Sequence, residues 1–290
     1  MAVALYEPGL GYYANALPKF GHLPDSGSDF VTAPELTPLF GRTLARQVAQ
    51  ALDATGTDEV WEFGAGTGAL ALQVLDALAA QGRPPRRYTI VDLSGALRER
   101  QRTTLAAHAA VVRWVDALPD AFEGVVLGNE VLDAMPVQLL ARVGGVWYER
   151  GVGLDGAGAL AWADRPTDLR PPIDIEGPHD YLTEVHPQAE AFIRTLAEHW
   201  TRGAGFFIDY GFPEAEYYHP QRHMGTLICH RAHRSDDDPL ADLGLKDITA
   251  HVNFTGIALA AQDAGLAVLG YTSQGRFLLN AGLLDLARDA

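Results

Sequence analysis

Apolar residues switch between two spacings along this chain, and each switch marks an element. Leu39, Leu44, Val48 and Leu52 recur at helical spacing and predict a helix over 38–52. Glu59-Val60-Trp61-Glu62-Phe63 reads as a short buried strand, after which Leu70, Leu72, Val74 and Leu75 return to the helical pattern. Strands are predicted near 59–63, 87–92, 111–115 and 124–128, with helices around 69–81 and 95–108 between them. Such alternation predicts a parallel, doubly wound α/β sheet.

Beyond Asn129 the alternation stops. Residues 138–143 and 146–152, joined at Gly144-Gly145, read as a β-hairpin. The Pro- and Asp-rich stretch 164–178 reads as a loop. Residues 187–199, with Pro187 in the first turn, predict the next crossover helix, and 205–210 the fifth strand. An irregular block over 212–254 precedes a helix at 256–264 and strands near 266–271 and 276–280. The pattern divides the chain into an N-terminal cap (1–57), a core (58–136), a β-rich insertion with its crossover helix (137–204), and the remainder of the sheet (205–290). No internal repeat or low-complexity tract is present.

The break between the strand at 59–63 and the helix after it is Gly64-Ala65-Gly66-Thr67-Gly68. Glycines at such a break let backbone N–H groups approach a ligand without Cβ interference. The strand 87–92 ends in Asp92, next to Leu93. A carboxylate there can accept both hydroxyls of a ribose, or else cap the following helix. Asp116, after the third strand, suits either an adenine amino group or a turn. The segment therefore predicts a nucleoside-cofactor site formed by Glu62, Gly64, Ala65, Gly66, Gly68, Asp92, Leu93, Asp116 and Asn129.

The glycines alone also fit a dinucleotide site. Glu62, two residues before Gly64, opposes a pyrophosphate and suits a cationic cofactor such as S-adenosylmethionine. The strand ending at Gly128 opens into Asn129-Glu130-Val131-Leu132-Asp133, an acidic cluster that methyl transfer to a basic acceptor could use and hydride transfer does not need. Asn129 is assigned to the cofactor's amino-acid end. Glu130, Asp133 and Asp209, the last at the end of the fifth strand, are the candidate catalytic residues. A carboxylate pair can grip a guanidinium, and one member can take its proton. A helix cap for Glu130, a solvated turn for Asp133 and a strand-ending turn at Asp209 are the structural alternatives.

Several segments occur in a telling order: Leu5-Tyr6-Glu7-Pro8, Gly11-Tyr12-Tyr13, the run from Ser28 to Glu35, Glu62 to Gly68, Asn129 to Pro136, Ile208-Asp209-Tyr210-Gly211, and Asp247 to Phe254. Together they resemble the MidA-type S-adenosylmethionine-dependent methyltransferases, from about Leu5 to about Leu279. That family includes the mitochondrial complex I assembly factor that methylates an arginine. The resemblance implies a class I methyltransferase-like, Rossmann-like sheet, S-adenosyl-L-methionine as cofactor, and arginine in a protein substrate as the methyl acceptor. An enzyme of the same fold acting on a small molecule, and an assembly factor that keeps the cofactor site without turnover, are the competing readings.

Composition narrows the partners. The net charge of −15 argues against nucleic-acid binding, which needs clustered Lys and Arg, and suits a basic partner. No run reaches the roughly 20 apolar residues needed to span a bilayer. Cys229 is the only cysteine, so no internal disulfide is available. With no signal-peptide pattern in the first residues, a cytoplasmic location is expected. His219, His223, Cys229, His230 and His233 lie close together, but adjacent Cys229-His230 and nearby arginines favour a hydrogen-bonded loop over a zinc site. The sequence leaves the oligomeric state open.

Overall fold

The computed structural model describes residues 1–15, 31–92 and 94–288. Its helices are α1 (Ala2–Tyr6), α2 (Ala33–Leu36), α3 (Pro38–Thr55), α4 (Ala69–Ala80), α5 (Gly95–Thr104), α6 (Pro187–His199), α7 (Glu214–Tyr217), α8 (Phe254–Asp263), α9 (Gln274–Asn280) and α10 (Leu283–Arg288). Its strands are β1 (Glu59–Phe63), β2 (Arg87–Val91), β3 (Val112–Val115), β4 (Phe122–Asn129), β5 (Gln138–Val143), β6 (Val146–Leu154), β7 (Leu160–Pro166), β8 (Tyr181–Val185), β9 (Trp200–Ile208), β10 (Gly211–Phe212), β11 (Ile228–Arg231), β12 (Arg234–Asp236), β13 (Asp247–Thr249) and β14 (Val252–Asn253).

The chain forms two compact units, each assembled from three separate stretches. One comprises Tyr13–Val131, Leu196–Ile208 and Leu269–Ala290, the other Met1–Tyr12, Leu132–Thr195 and Asp209–Val268. The described part of the expected 1–57 cap is thus shared between both.

In the first unit five parallel strands run in the order β3-β2-β1-β4-β9. Every residue of β1 is buried, as a central parallel strand requires. Helix α3 begins where Thr37 accepts a hydrogen bond from Leu39 N, with Pro38 in its first turn, and ends at Gly56 in a left-handed conformation. Its stripe of Phe40, Leu44, Val48 and Leu52 packs into one core with Leu70, Val74 and Leu78 of α4 and Val60, Ile90 and Val125 of the sheet. Chain order reverses direction between β1 and β4, and at such a switch point the carboxyl ends of neighbouring strands flank a ligand crevice.

In the second unit β7-β6-β5-β8 form an antiparallel sheet, β12-β11-β13 a smaller one, and β10 pairs with β14. The hairpin forms with Val143 opposite Val146 across the left-handed Gly144 and Gly145. Glu184 on β8 is fully buried and ties the stretch after α7 to this sheet. It accepts from Tyr217 OH at 2.8 Å, Thr226 N at 2.8 Å and Leu227 N at 3.1 Å.

The expected loop at 164–178 begins inside a strand: β7 runs to Pro166, held by the ion pair of Arg150 and Asp164 across the ladder. The fifth strand starts at Trp200, not 205. The strands expected near 266–271 and 276–280 are absent. Val268, Leu269 and Tyr271 are exposed and in no ladder, while Ser273 caps α9 by accepting from Arg276 N. An apolar run is a strand only where a sheet edge receives it, and a serine cap turned the second run into a helix.

Candidate functional site

The turn after β1 is built on backbone geometry. Gly64, Gly66 and Gly68 have φ of 62°, 53° and 85°, in the left-handed region that favours glycine. A Cβ on Gly64 would lie 3.1 Å from Val131 Cγ2. Gly64 N donates to Val91 O, and Gly68 N to Ala65 O at 2.8 Å, before Gly68 caps α4. The turn is also held from outside. The Thr67 hydroxyl donates to Glu35 of α2, and Gln73 receives Gly41 N while donating to Pro34 O at 2.7 Å. The Ala33-Pro34-Glu35 segment is therefore part of the same construction. Ser28, Asp29 and Phe30 lie outside the described residues, as does Leu93.

Asp92 is buried. Its Oδ1 accepts from Ser94 N at 2.9 Å and its Oδ2 from Gln101 Nε2 at 2.7 Å. Gln101 also donates to Gly66 O at 3.0 Å and accepts from Trp114 Nε1. One buried amide thus joins the glycine turn to the carboxylate after β2. The sequence contains a signal for it, since Gln101 is a polar residue between Leu97 and Leu105 at helical spacing. Burial raises the Asp92 pKa, against the pull of Ser94 N–H and Gln101. Asp116 is largely exposed and paired with Arg98, whose guanidinium also reaches Val115 O.

Glu62 is buried within β1 and accepts from Tyr88 OH at 2.6 Å. Loss of water pushes its carboxyl up to about 7, the Tyr88 bond opposes this, and the charge of Asp92 adds to it. Sequence reasoning found Glu62 and missed Tyr88, which lies one strand away.

At the end of β4, Asn129 donates to Glu130 Oε1 at 3.3 Å, while its own Oδ1 is buried with no hydrogen-bond partner among the described residues. Glu130 has φ of 51°, a conformation a non-glycine residue adopts at a cost of about 1–3 kcal/mol. Its N–H donates to Ile208 O at 2.8 Å, which fixes the turn against β9.

The remaining candidates belong to the second unit. Asp209 Oδ2 accepts from Leu132 N at 2.9 Å and Asp133 N at 3.3 Å, and its Oδ1 from Tyr210 N. Its carboxylate holds the backbone around Asp133. Tyr210 OH in turn donates to Asp133 Oδ2, and Asp133 Oδ1 is buried without a partner. Burial raises both carboxyls above the ordinary range, and the charge of Asp133 raises Asp209 further. Tyr210 lies edge-on to His251 at 5.3 Å, and His251 stacks on Phe212 at 5.2 Å. His251 Nδ1 and Thr249 Oγ1 are also buried and unpartnered.

Elsewhere, Cys229 is buried on β11 opposite Asp236 and Ile248. Among the described residues no group of His, Cys, Asp and Glu could hold a metal ion. A cavity of about 410 Å³ beside the start of α4 is lined by Glu35, Arg42, Thr67, Gln73 and Arg100. It includes neither Asp92 nor Asn129, so it is not the nucleoside crevice.

The crevice at the switch point fits S-adenosylmethionine on its own chemistry. Three left-handed glycines open the backbone, a buried carboxylate ends β2, and Asn129 Oδ1 offers an acceptor to an ammonium group. These features define a methyltransferase of the parallel-sheet type that uses this cofactor. Residues 43–272 match the model of the family described as "Putative S-adenosyl-L-methionine-dependent methyltransferase", and the chain belongs to that family. The crystal structure of a Burkholderia thailandensis protein bound to S-adenosyl-homocysteine is 57% identical, with a TM-score of 0.95, covering 100% of this chain and 77% of that one. A native structure from the same organism is 55% identical, with a TM-score of 0.89 and coverage of 100% and 76%. Among curated relatives, "Protein arginine methyltransferase NDUFAF7 homolog, mitochondrial" of Caenorhabditis elegans is 27% identical over 98% of this chain and 72% of its own. The Mus musculus protein arginine methyltransferase NDUFAF7 is 28% identical over 98% and 70%. No described helix is long and apolar enough to cross a membrane.

Proposed function

We propose that this methyltransferase transfers the methyl group to an arginine in a basic protein segment. The observation that carries the reading is the set of unpartnered buried atoms around Tyr210. Asp133 Oδ1, Thr249 Oγ1 and His251 Nδ1 are buried without hydrogen-bond partners, as is His186 Nε2 in the same unit, whereas the buried Glu184 is held by four bonds. Leaving such atoms unpaired costs about 1–3 kcal/mol each, so a ligand rich in donors would be drawn there. A guanidinium carries five N–H donors and no acceptor. The names of the curated relatives agree with this choice.

Glu62, the Gly64–Gly68 turn, Asp92 and Asn129 hold the cofactor, with Asp116 at its margin. Bound S-adenosylmethionine supplies an electrophilic methyl group on a sulfonium, whose sulfur keeps the bonding pair. A guanidinium is a poor nucleophile until it releases a proton. Glu130 takes that proton as the nitrogen–carbon bond forms, and Asp133 orients the acceptor. Asp209 and Tyr210 hold Asp133 in place. The overall charge of −15 draws basic segments toward the enzyme.

The test is transfer of radiolabelled methyl from S-adenosylmethionine into lysate of cells lacking this protein, followed by mass spectrometry of the labelled species. Label on arginine of one or a few proteins supports the reading. Label confined to small molecules, or to another residue type, overturns it.

A further inference from the structure

The two edges of the antiparallel sheet β7-β6-β5-β8 are finished differently. At β8 the edge is covered: Leu182 N donates to His223 O at 2.9 Å, and Leu182 bridges Met224. At β7 the described residues supply no further strand, and the charged and proline residues that blunt an edge, Asp164, Arg165 and Pro166, are confined to its last three positions, leaving Leu160–Ala163 without them. There is no lysine on β7, no bulge between β6 and β7, and proline only at its last residue, Pro166.

One face of this ribbon is also apolar and uncovered. Val152 stands opposite Trp162 and Leu154 opposite Leu160, all even-numbered and therefore on one face. Leu154 is 70% exposed, Val152 52%, Leu160 41% and Trp162 40%. On β5 the same face carries Leu139 and Ala141, which are buried. The Arg150–Asp164 ion pair lies on this face between them and Val152, so the exposed apolar cluster occupies the outer end of the ribbon.

Charge argues for what covers it. The chain carries −15 overall, so two copies repel across most of their surface. The ribbon 146–166 is nearly neutral, with Arg150 and Arg165 against Glu149, Asp155 and Asp164. Four of these five neutralise one another, Arg150 with Asp164 at 2.7 Å and Arg165 with Glu149 at 2.6 Å. A basic partner would gain nothing from this patch, whereas a second copy meets its least repulsion there.

We propose that β7 pairs edge to edge with β7 of a second copy of this chain, giving a twofold dimer with one continuous antiparallel sheet. An antiparallel strand pair has its twofold axis normal to the sheet, so even-numbered residues of both copies stay on one face in any register. Trp162 and Leu160 of each copy then extend a single apolar stripe. The contact is isologous and closes on itself.

Sedimentation velocity on the full chain over a concentration series tests this. The wild-type chain should show a two-copy species. Trp162→Asp and Leu160→Lys should each raise its dissociation constant by roughly 100-fold, as expected for charging the centre of an apolar contact. S-adenosyl-homocysteine binding, measured on the same samples by calorimetry, should stay at the wild-type level and report an intact fold. If either variant misfolds, Leu154→Asn at the ribbon tip gives the reading. Added salt should tighten the wild-type dimer by screening repulsion between the two acidic chains. A wild-type chain that sediments as one copy at every concentration overturns the proposal. So does a dimer that the folded variants leave unchanged.

Discussion

The glycine turn and the knot around Asp133 are two ways of holding polar groups inside a protein. The turn is mostly local: its ligand-facing parts lie between Glu62 and Gln101, braced from outside by Pro34 and Glu35, and backbone conformation does most of the work. The knot is assembled over distance. Asp209 reaches the backbone of Leu132 across 77 residues of sequence, and Ala250 N closes on Asp133 O from further still. The first leaves one acceptor, Asn129 Oδ1, without a partner. The second spends Asp209 and Tyr210 on fixing Asp133, and leaves atoms unpaired around it. A rigid local turn suits a cofactor that is always the same, and a braced acidic knot suits a cationic acceptor.

The largest effect should come from breaking the local side. Gly66→Val places a β-branched residue at φ of 53°, and calorimetry should show S-adenosyl-homocysteine binding lost. Retained binding would mean that left-handed geometry is not what the turn provides. On the acceptor side, Glu130→Gln should cut methyl transfer by roughly 10²-fold or more while leaving cofactor affinity unchanged. If turnover is unaffected, the proton goes elsewhere and Asp133 is the next candidate.

Asp92→Ala sharpens the contrast, because it belongs to both structure and ligand. Loss of charged hydrogen bonds should weaken the cofactor by about 1.5–3 kcal/mol. It also strands Ser94 N, so the melting temperature should fall as well. Asp209→Asn should lower stability by about 1–2 kcal/mol, since an amide cannot accept on both sides, yet leave cofactor affinity intact. Equal loss of both would show the two regions to be one.

The smallest effect is a slope. Glu62 rises from 4.5 to about 7, so the folded state binds more protons than the unfolded one between those values. Stability should therefore fall as pH rises through roughly 4.5 to 7, and Glu62→Gln should flatten that part of a melting curve series.

The same contrast explains what could be read from the sequence. The parallel strands were legible because β1, β2 and β4 are buried runs punctuated by glycine or a carboxylate. The hairpin was legible from Gly144-Gly145. The cofactor residues were legible because a strand–turn–helix carries its chemistry in a few consecutive positions. Leu266 to Tyr271 misled, because an apolar run does not say whether a sheet edge awaits it. Tyr88, His251 and the clamp by Asp209 were illegible as partners, since nothing in a local window links residues that meet only after long-range folding. Gln101 lay between, visible as a polar residue in an apolar stripe but with no sign of what it joins.

The three-part composition of each unit has a consequence for synthesis. The sheet unit cannot bury Leu278 against α3 until residues 269–290 have left the ribosome. The unit around Asp133 likewise waits for Asp247 to Val252. Neither can complete before its last stretch has emerged, so the two close nearly together. Contacts so distant in sequence make folding slow, and the nascent chain exposes apolar strands such as β4 until their distant partners emerge. A chain of this design should depend on chaperones during synthesis, and C-terminal truncations should aggregate where point variants only weaken function.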